Sequence, residues 1–270
     1  MRIGFQGEEL SYSDQASQEL FPDQERVGFV SFVAAFEGLR GGKVDRLVLP
    51  IENSTTGSVL PVLDRLLPGG LHIVAEHLVE VRHALLGLPG ADPAGIRRVL
   101  SHPEALAQAE AILTHRGWEA HPVHDTAGAV RQVAERGDPS EAALAPEGAA
   151  TRHGLRVLMT DVVDRLHNTT RFVVVAPGEQ PIAQDADKTT VAFSTLHQPG
   201  ALALALTELG LRGANLTRIE SRPSDEAWRY RFYVDLLHEP GPAGYAAVFV
   251  PTPATLTDLH HLGTYRRTAG

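Results

Sequence analysis

The chain contains no cysteine. Disulfides, thiolate zinc sites and cysteine nucleophiles are therefore excluded, and a reducing compartment is the natural setting. Positive charge is in deficit, with 24 Lys and Arg against 33 Asp and Glu and a formal net charge of −9. That balance disfavours non-specific binding to nucleic acid or to an anionic membrane. No apolar run approaches the ~20 residues that a membrane span needs, and the opening MRIGFQGEEL lacks the apolar stretch of a secretion signal. Without a G-x-G-x-x-G the chain does not read as a dinucleotide enzyme, and it has no G-x-S-x-G elbow. GLRGGKV (38–44) lacks the first glycine of a phosphate loop and carries Val44 after Lys43. The pairs His121/His124 and His260/His261 lack the further ligands of a metal site and read as solvated or capping histidines. These absences set the expectation of a soluble, cytoplasmic protein without a metal site.

At 270 residues, 43% hydrophobic and 21% charged, the chain is long enough for two or three domains of ordinary globular composition. Up to about residue 175, short apolar runs alternate with helical patterns. RIGF (2–5), RLVLP (46–50), RRVL (97–100), WEAHPV, AALAP (142–146) and RFVVV read as strands, and 71–88 as extended. Helices are expected over 31–42, with Ser31 as N-cap, and over 59–67. SHPEALAQAEAILTHRG reads as one helix opened by a Ser101/Glu104 capping box, and TAGAVRQVAER and EGAATRH as two more. Strands alternating with helices predict an α/β architecture built on parallel sheet. APGEQPIAQDADK (176–188) breaks the rhythm and reads as a linker. Beyond it, TTVAFSTL, PGALALALTELGLRG, NLTRIESRP and WRYRFYVDLL suggest a small ferredoxin-like βαββαβ domain. Its second helix, within GPAGYAAVFVPTPATL, must be short because Pro251 and Pro253 oppose a longer one.

Four polar clusters fall where strands end and helices begin, the usual ligand-binding edge of open α/β sheets: QGEELSYS (6–13), IENSTTGS (51–58), SHPEALAQ (101–108) and HDTAG (124–128). IENSTTGS offers hydroxyls and free backbone N–H groups, either as an anion cradle or as a capped turn. Ser101, His102 and Pro103 read as capping. Gln108 sits on the shoulder of an apolar helical stripe, either reaching into a cleft or marking the edge of the solvated face. Asp125 and Thr126 form a routine N-cap. A fifth cluster, NTTRF (168–172), precedes its strand. Arg171 there is either half-buried against a ligand carboxylate, the reading preferred, or paired with a protein carboxylate.

In this order, these segments resemble those of the prephenate dehydratase family over about residues 1–176. The stretches PGALALAL (199–206), NLTRIESRP (215–223) and LGTY (262–265) are similar to the ACT regulatory domain fused to those enzymes. The resemblance implies a two-lobed, periplasmic-binding-protein-like (type II) catalytic region plus a ferredoxin-like ACT domain, with bounds 1–178 and 188–270 and a linker at 179–187. It implies a carbon–oxygen lyase of phenylalanine biosynthesis that converts prephenate to phenylpyruvate without a cofactor, regulated by phenylalanine as a homodimer or homotetramer. Alternatives are the same chemistry on arogenate, or a non-catalytic amino-acid or solute-binding module. By the same resemblance, Thr170 hydrogen-bonds the leaving hydroxyl, Arg171 clamps a carboxylate and Phe172 shapes the pocket. Asn53, Ser54, Gln108 and Asn168 line the site, with Thr126, Ser11 and Ser13 as weaker matches. Gly200, Ala201 and Leu202, together with Glu220, Ser221 and Arg222, are the implied effector positions. Two departures stand out: Leu10 where the family has glycine, and His197 where it often has asparagine.

Overall fold

A computed structural model describes residues 1–67, 70–164, 168–224 and 226–268; the final two residues of the expected 188–270 domain lie outside the described residues. By contacts the chain divides into two compact units. The first comprises Met1–Ala35, Glu52–Gly57 and Val79–Thr170, and the second Phe36–Ile51, Ser58–Leu78 and Arg171–Gly270.

In the first unit, Arg2–Gln6 pairs in parallel with Glu25–Phe29, and the helix Tyr12–Leu20 connects them. A five-stranded sheet runs in the order Arg156–Met159, Ala84–Gly87, Glu141–Ala145, Arg98–Ser101, Glu119–Pro122. Arg98–Ser101 is parallel to both of its neighbours. Ala84–Gly87, however, runs antiparallel to both of its own, so the sheet is mixed rather than parallel as the alternating pattern suggested. Alternation along the strands divides the core. Leu86, Leu100 and Ala143 pack with Val130 and Val133 of the helix Thr126–Arg136. Their neighbours Leu85, Val99 and Leu144 pack with Leu113 and Trp118.

The single helix expected after Ser101 is two, Pro103–Ala107 and Glu110–Arg116, broken at Gln108 and Ala109. Ala109 leaves helical geometry, and the Asp164 carboxylate accepts from the N–H groups of Ala111 and Ile112 at 2.8 and 3.1 Å. The second helix thus starts afresh on an outside cap. Nor is Ser101 the cap of the first. It is buried at the end of its strand, donating to the Leu144 carbonyl, and His102 Nδ1 accepts from Glu104 N instead.

The strands Arg46–Asn53, Thr169–Pro177 and Leu71–Glu80, most of whose residues belong to the second unit, lie side by side in that order. Val173, Val174 and Val175 are wholly buried, as a strand covered on both faces requires. Residues 188–265 form the expected βαββαβ unit, with sheet order Asn215–Pro223, Tyr230–Leu237, Lys188–Ser194, Thr257–Tyr265. Every pairing in it is antiparallel. One face carries Val191, Phe193, Val234 and Leu236 against Ala205, Leu209, Val248 and Phe249 of the helices Ala201–Leu211 and Gly241–Phe249. The opposite face carries Thr190 and Asp235, directly paired across the strands.

The closing strand approaches the backbone of Leu71–Glu80 at Gly263. A Cβ placed there would stand 2.1 Å from the Ile73 carbonyl oxygen, and Gly263 has φ +150°. Backbone cannot yield as a side-chain tip can, so Gly263→Ala is expected to lower stability by at least ~2 kcal/mol, read as a reduced denaturant midpoint at unchanged slope. A midpoint within error of the parent would show that the strand can shift at little expense.

Candidate active site

Asn53 ends the strand Arg46–Asn53 and is nearly inaccessible. Its Oδ1 accepts from the N–H groups of Thr55 and Thr56 at 2.9 and 3.2 Å and from the Thr55 hydroxyl at 2.6 Å. This Asx turn settles which amide atom is oxygen. Nδ2 must then point the other way, where it donates to Asn168 Oδ1 at 2.7 Å and to Thr170 Oγ1 at 2.9 Å. Asn168 Nδ2 in turn donates to Gln108 Oε1 at 2.8 Å. His83 Nε2 lies 3.1 Å from the same Gln108 oxygen. Its Nδ1 lies 3.1 Å from the Tyr12 hydroxyl, which donates to the Arg82 carbonyl at 2.5 Å. Burial pushes the His83 pKa down to about 4, against the opposing pull of Gln108 and Glu104. Burial likewise raises that of Tyr12. Both groups are neutral at pH 7.

Among the described residues, two donors are left over. Thr170 Oγ1 accepts from Asn53, and no protein acceptor takes its proton. Gln108 receives hydrogen bonds on its oxygen only, so its NH₂ group is also unused. The Thr56 hydroxyl donates to Glu104 at 2.6 Å, tying the IENSTTGS turn to the helix Pro103–Ala107. Ser54 makes a reciprocal pair with Thr169, Ser54 N to the Thr169 carbonyl and Thr169 N to Ser54 Oγ, both at 2.9 Å. The strand Thr169–Pro177 therefore begins inside NTTRF, not after it.

Four of the expected residues, Asn53, Gln108, Asn168 and Thr170, are thus joined by hydrogen bonds, with Ser54 adjoining them through Thr169. Ser13 and Thr126 are not hydrogen-bonded to this network among the described residues. Ser13 is buried in the first helix, its carbonyl accepting from Ser17, and Thr126 is the first residue of its helix. Tyr12 and His83 went unrecognised. Tyr12 stands between two serines of the first motif, while His83 belongs to no motif. Leu10 holds φ +69°, in the left-handed region that favours glycine. Its N–H bonds to Asp14 Oδ2 at 2.8 Å and its side chain packs on the sheet core, which offsets the strain.

Arg171 and Phe172 are placed otherwise than expected. Phe172 is 1% exposed, a core residue. Arg171 is also buried, and its carboxylate partners are the protein's own. Nε donates to Glu76 at 2.6 Å, Nη1 to Asp235 at 2.5 Å and Nη2 to the Tyr265 hydroxyl at 2.8 Å. Lys188 shares Glu76 Oε2 at 2.8 Å, and Arg218 shares Asp235 Oδ2 at 2.8 Å. Thr190 donates to the remaining oxygen of Asp235 at 2.7 Å. The ligand-clamp reading of Arg171 gives way to the protein-carboxylate one, because a buried guanidinium needs compensating charge where water is excluded. Burial alone would push the Asp235 pKa up, but Arg218 and Arg171 outweigh it and hold the carboxyl well below the usual range. Asp235→Asn leaves two buried cations without their shared partner. It is expected to cost about 3–5 kcal/mol in equilibrium unfolding; a loss under 1 kcal/mol would mean that water reaches the cluster.

Of the implied effector positions, Gly200 has φ +80° and precedes the helix Ala201–Leu211, whose start no side chain caps. Ala201 is buried and Leu202 packs on the sheet core. Glu220 and Ser221 lie on the edge strand Asn215–Pro223, and Arg222 forms a bidentate pair with Asp64 at 3.1 and 2.7 Å.

Residues 3–180 match the family model described as prephenate dehydratase. The prephenate dehydratase of Mycobacterium bovis (strain BCG / Pasteur 1173P2) is 35% identical, the match covering 98% of this chain and 87% of that protein. An Arabidopsis thaliana protein, arogenate dehydratase/prephenate dehydratase 2, is 42% identical over 87% of this chain. The chain spans less than two thirds of the length of the plant relatives it first matches. The structure of a prephenate dehydratase from Arthrobacter aurescens, solved with L-Phe, superposes with a TM-score of 0.85 at 31% identity, covering 99% of this chain and 90% of that one.

Proposed function

The chain belongs to the prephenate dehydratase family, and on that premise we propose that it converts prephenate to phenylpyruvate, carbon dioxide and water. In this reaction the ring carboxylate leaves as carbon dioxide, and its bonding pair enters the ring as the carbon–hydroxyl bond breaks opposite. Aromatisation supplies the driving force, so the protein must orient two carboxylates and assist a departing hydroxide. The observation that carries the reading is the polarity of the Asn53–Thr170 contact. Asn53 Nδ2 occupies a lone pair of Thr170 Oγ1, which turns the hydroxyl proton outward and strengthens it as a donor. A fixed donor at the leaving oxygen stabilises the charge that develops there. The proton that makes water is drawn from solvent, because a threonine hydroxyl is too weak an acid to give up its own. The unused NH₂ of Gln108 suits a substrate carboxylate.

Thr170→Ala is expected to lower kcat roughly 100-fold, equivalent to ~3 kcal/mol, with little change in KM. Phenylpyruvate formed from prephenate at the parent rate by this variant would sink the assignment. Assays on arogenate, followed by phenylalanine formation, test the second substrate that the names of the plant relatives carry.

Residues 1–178 are taken as the catalytic region, two-lobed with the site in the cleft, 179–187 as a linker and 188–270 as an ACT domain, in a cytoplasmic enzyme. Phenylalanine, present in the Arthrobacter structure, is the proposed effector. The N–H groups of Leu202 and Ala203, which no side chain caps, suit its carboxylate, and Glu220 suits its ammonium. Gly200–Leu202 and Glu220–Arg222 belong to separate segments of one sheet-and-helix unit, and pairing with a second copy would complete the site in a homodimer or homotetramer. Sedimentation should show at least a dimer, stabilised by phenylalanine. A monomer with and without the amino acid would dismiss the shared site.

A further inference from the structure

We propose that His83 is a positioning residue that fixes which end of the Gln108 carboxamide faces the substrate; this rests on the dehydratase reading of the site. The two ends of a carboxamide are nearly isosteric, so Gln108 can present either an oxygen or an NH₂ group depending on what holds it. Two neighbours hold it. Asn168 Nδ2 donates to Oε1 at 2.8 Å, an orientation inherited from Asn53 and the backbone N–H of Thr55. His83 Nε2 stands 3.1 Å from that same oxygen. An acceptor that already receives one proton there leaves His83 a single favourable role, which is donation, so Nε2 carries the hydrogen and Nδ1 is bare.

The Tyr12 hydroxyl stands 3.1 Å from that bare nitrogen and 2.5 Å from the Arg82 carbonyl. Its one proton is committed to the carbonyl, so the tautomer is set from the Gln108 side, where an oxygen that can only accept faces Nε2. The ring is only 3% exposed and stacks edge-on to Tyr12 with centroids 5.5 Å apart, which holds its plane.

Exchange the tautomer and the consequence is concrete. A bare Nε2 would draw the Gln108 NH₂ inward, leave Asn168 Nδ2 facing another donor, and aim Gln108 Oε1 at the substrate. An oxygen there repels a carboxylate that an NH₂ group would bind. His83 thus acts on substrate through Gln108 without touching it, and Tyr12 acts one step further back.

The variants that test this are His83→Gln, which keeps an Nε2 donor at similar reach, and His83→Ala, which removes it. With prephenate as substrate, His83→Ala should lose roughly 10- to 100-fold in kcat/KM, chiefly through KM, while His83→Gln stays within a few-fold of the parent. Equal losses in both variants, tracking equal losses of thermal stability, would reduce His83 to a packing residue. Retention of full activity by His83→Ala would dismiss the role outright. A substrate-free reading comes from ¹⁵N–¹H long-range correlation at pH 7, with the His83 resonances found by their absence in His83→Gln. A protonated Nε2 and bare Nδ1 are expected, and the reverse overturns the inference. If the parent turns over neither prephenate nor arogenate, the dehydratase reading fails, while the tautomer measurement still decides the orientation of Gln108.

Discussion

The carboxamide oxygen of Asn53, pinned by the backbone N–H groups of Thr55 and Thr56, is the constraint on which the polar interior of the first unit depends. Backbone donors cannot reverse their sense, so this turn sets a direction that side-chain amides alone would leave open. Each subsequent group inherits it: Asn53 gives to Asn168 and Thr170, and Asn168 gives to Gln108. What emerges is a site whose inward-facing atoms are satisfied and whose spare atoms are donors. That asymmetry suits an anionic ligand better than any single residue does.

The division of the chain by contacts falls between Thr170 and Arg171. Consecutive residues of a strand point to opposite faces, so one motif serves two surroundings. Thr170 enters the amide network, and Arg171 enters an ionic cluster with Glu76, Asp235 and Tyr265. The guanidinium of NTTRF is therefore an anchor for the strand that carries the hydroxyl. Its partners include residues of the ferredoxin-like sheet, on the face opposite that unit's apolar core.

Much of this was legible in the sequence. The segments IENSTTGS, SHPEALAQ and NTTRF stand out as polar clusters beside regular elements, and the resemblance to the family picks Asn53, Gln108, Asn168 and Thr170 out of them. The first four elements of the βαββαβ order after residue 187 are likewise readable from their own periods, whereas Pro251 and Pro253 blur the second helix and the strand that follows it. What escaped was non-local. Arg171 reads by preference as a clamp until Glu76 and Asp235, 95 and 64 residues away, are seen to meet it. His83 lies in an extended run with no local pattern, and its meaning comes only from Tyr12 and Gln108. Ser101 satisfied the rule for a cap, but its hydroxyl was already committed to the Leu144 carbonyl across the sheet. The break at Gln108 depends on Asp164, a carboxylate that no helical wheel of residues 101–117 includes.

The ionic cluster gathers three cations, Arg171, Lys188 and Arg218, around two carboxylates, Glu76 and Asp235, all nearly excluded from water. Hydration of charged groups grows less favourable on heating, so the penalty for stripping water from these five side chains shrinks as temperature rises, whereas apolar burial per unit area levels off. The cluster accordingly carries a larger share of the fold's stability in the warm protein than in the cold one. Heat strengthens the joint on which the Thr170 strand is hung even as it loosens the chain around it.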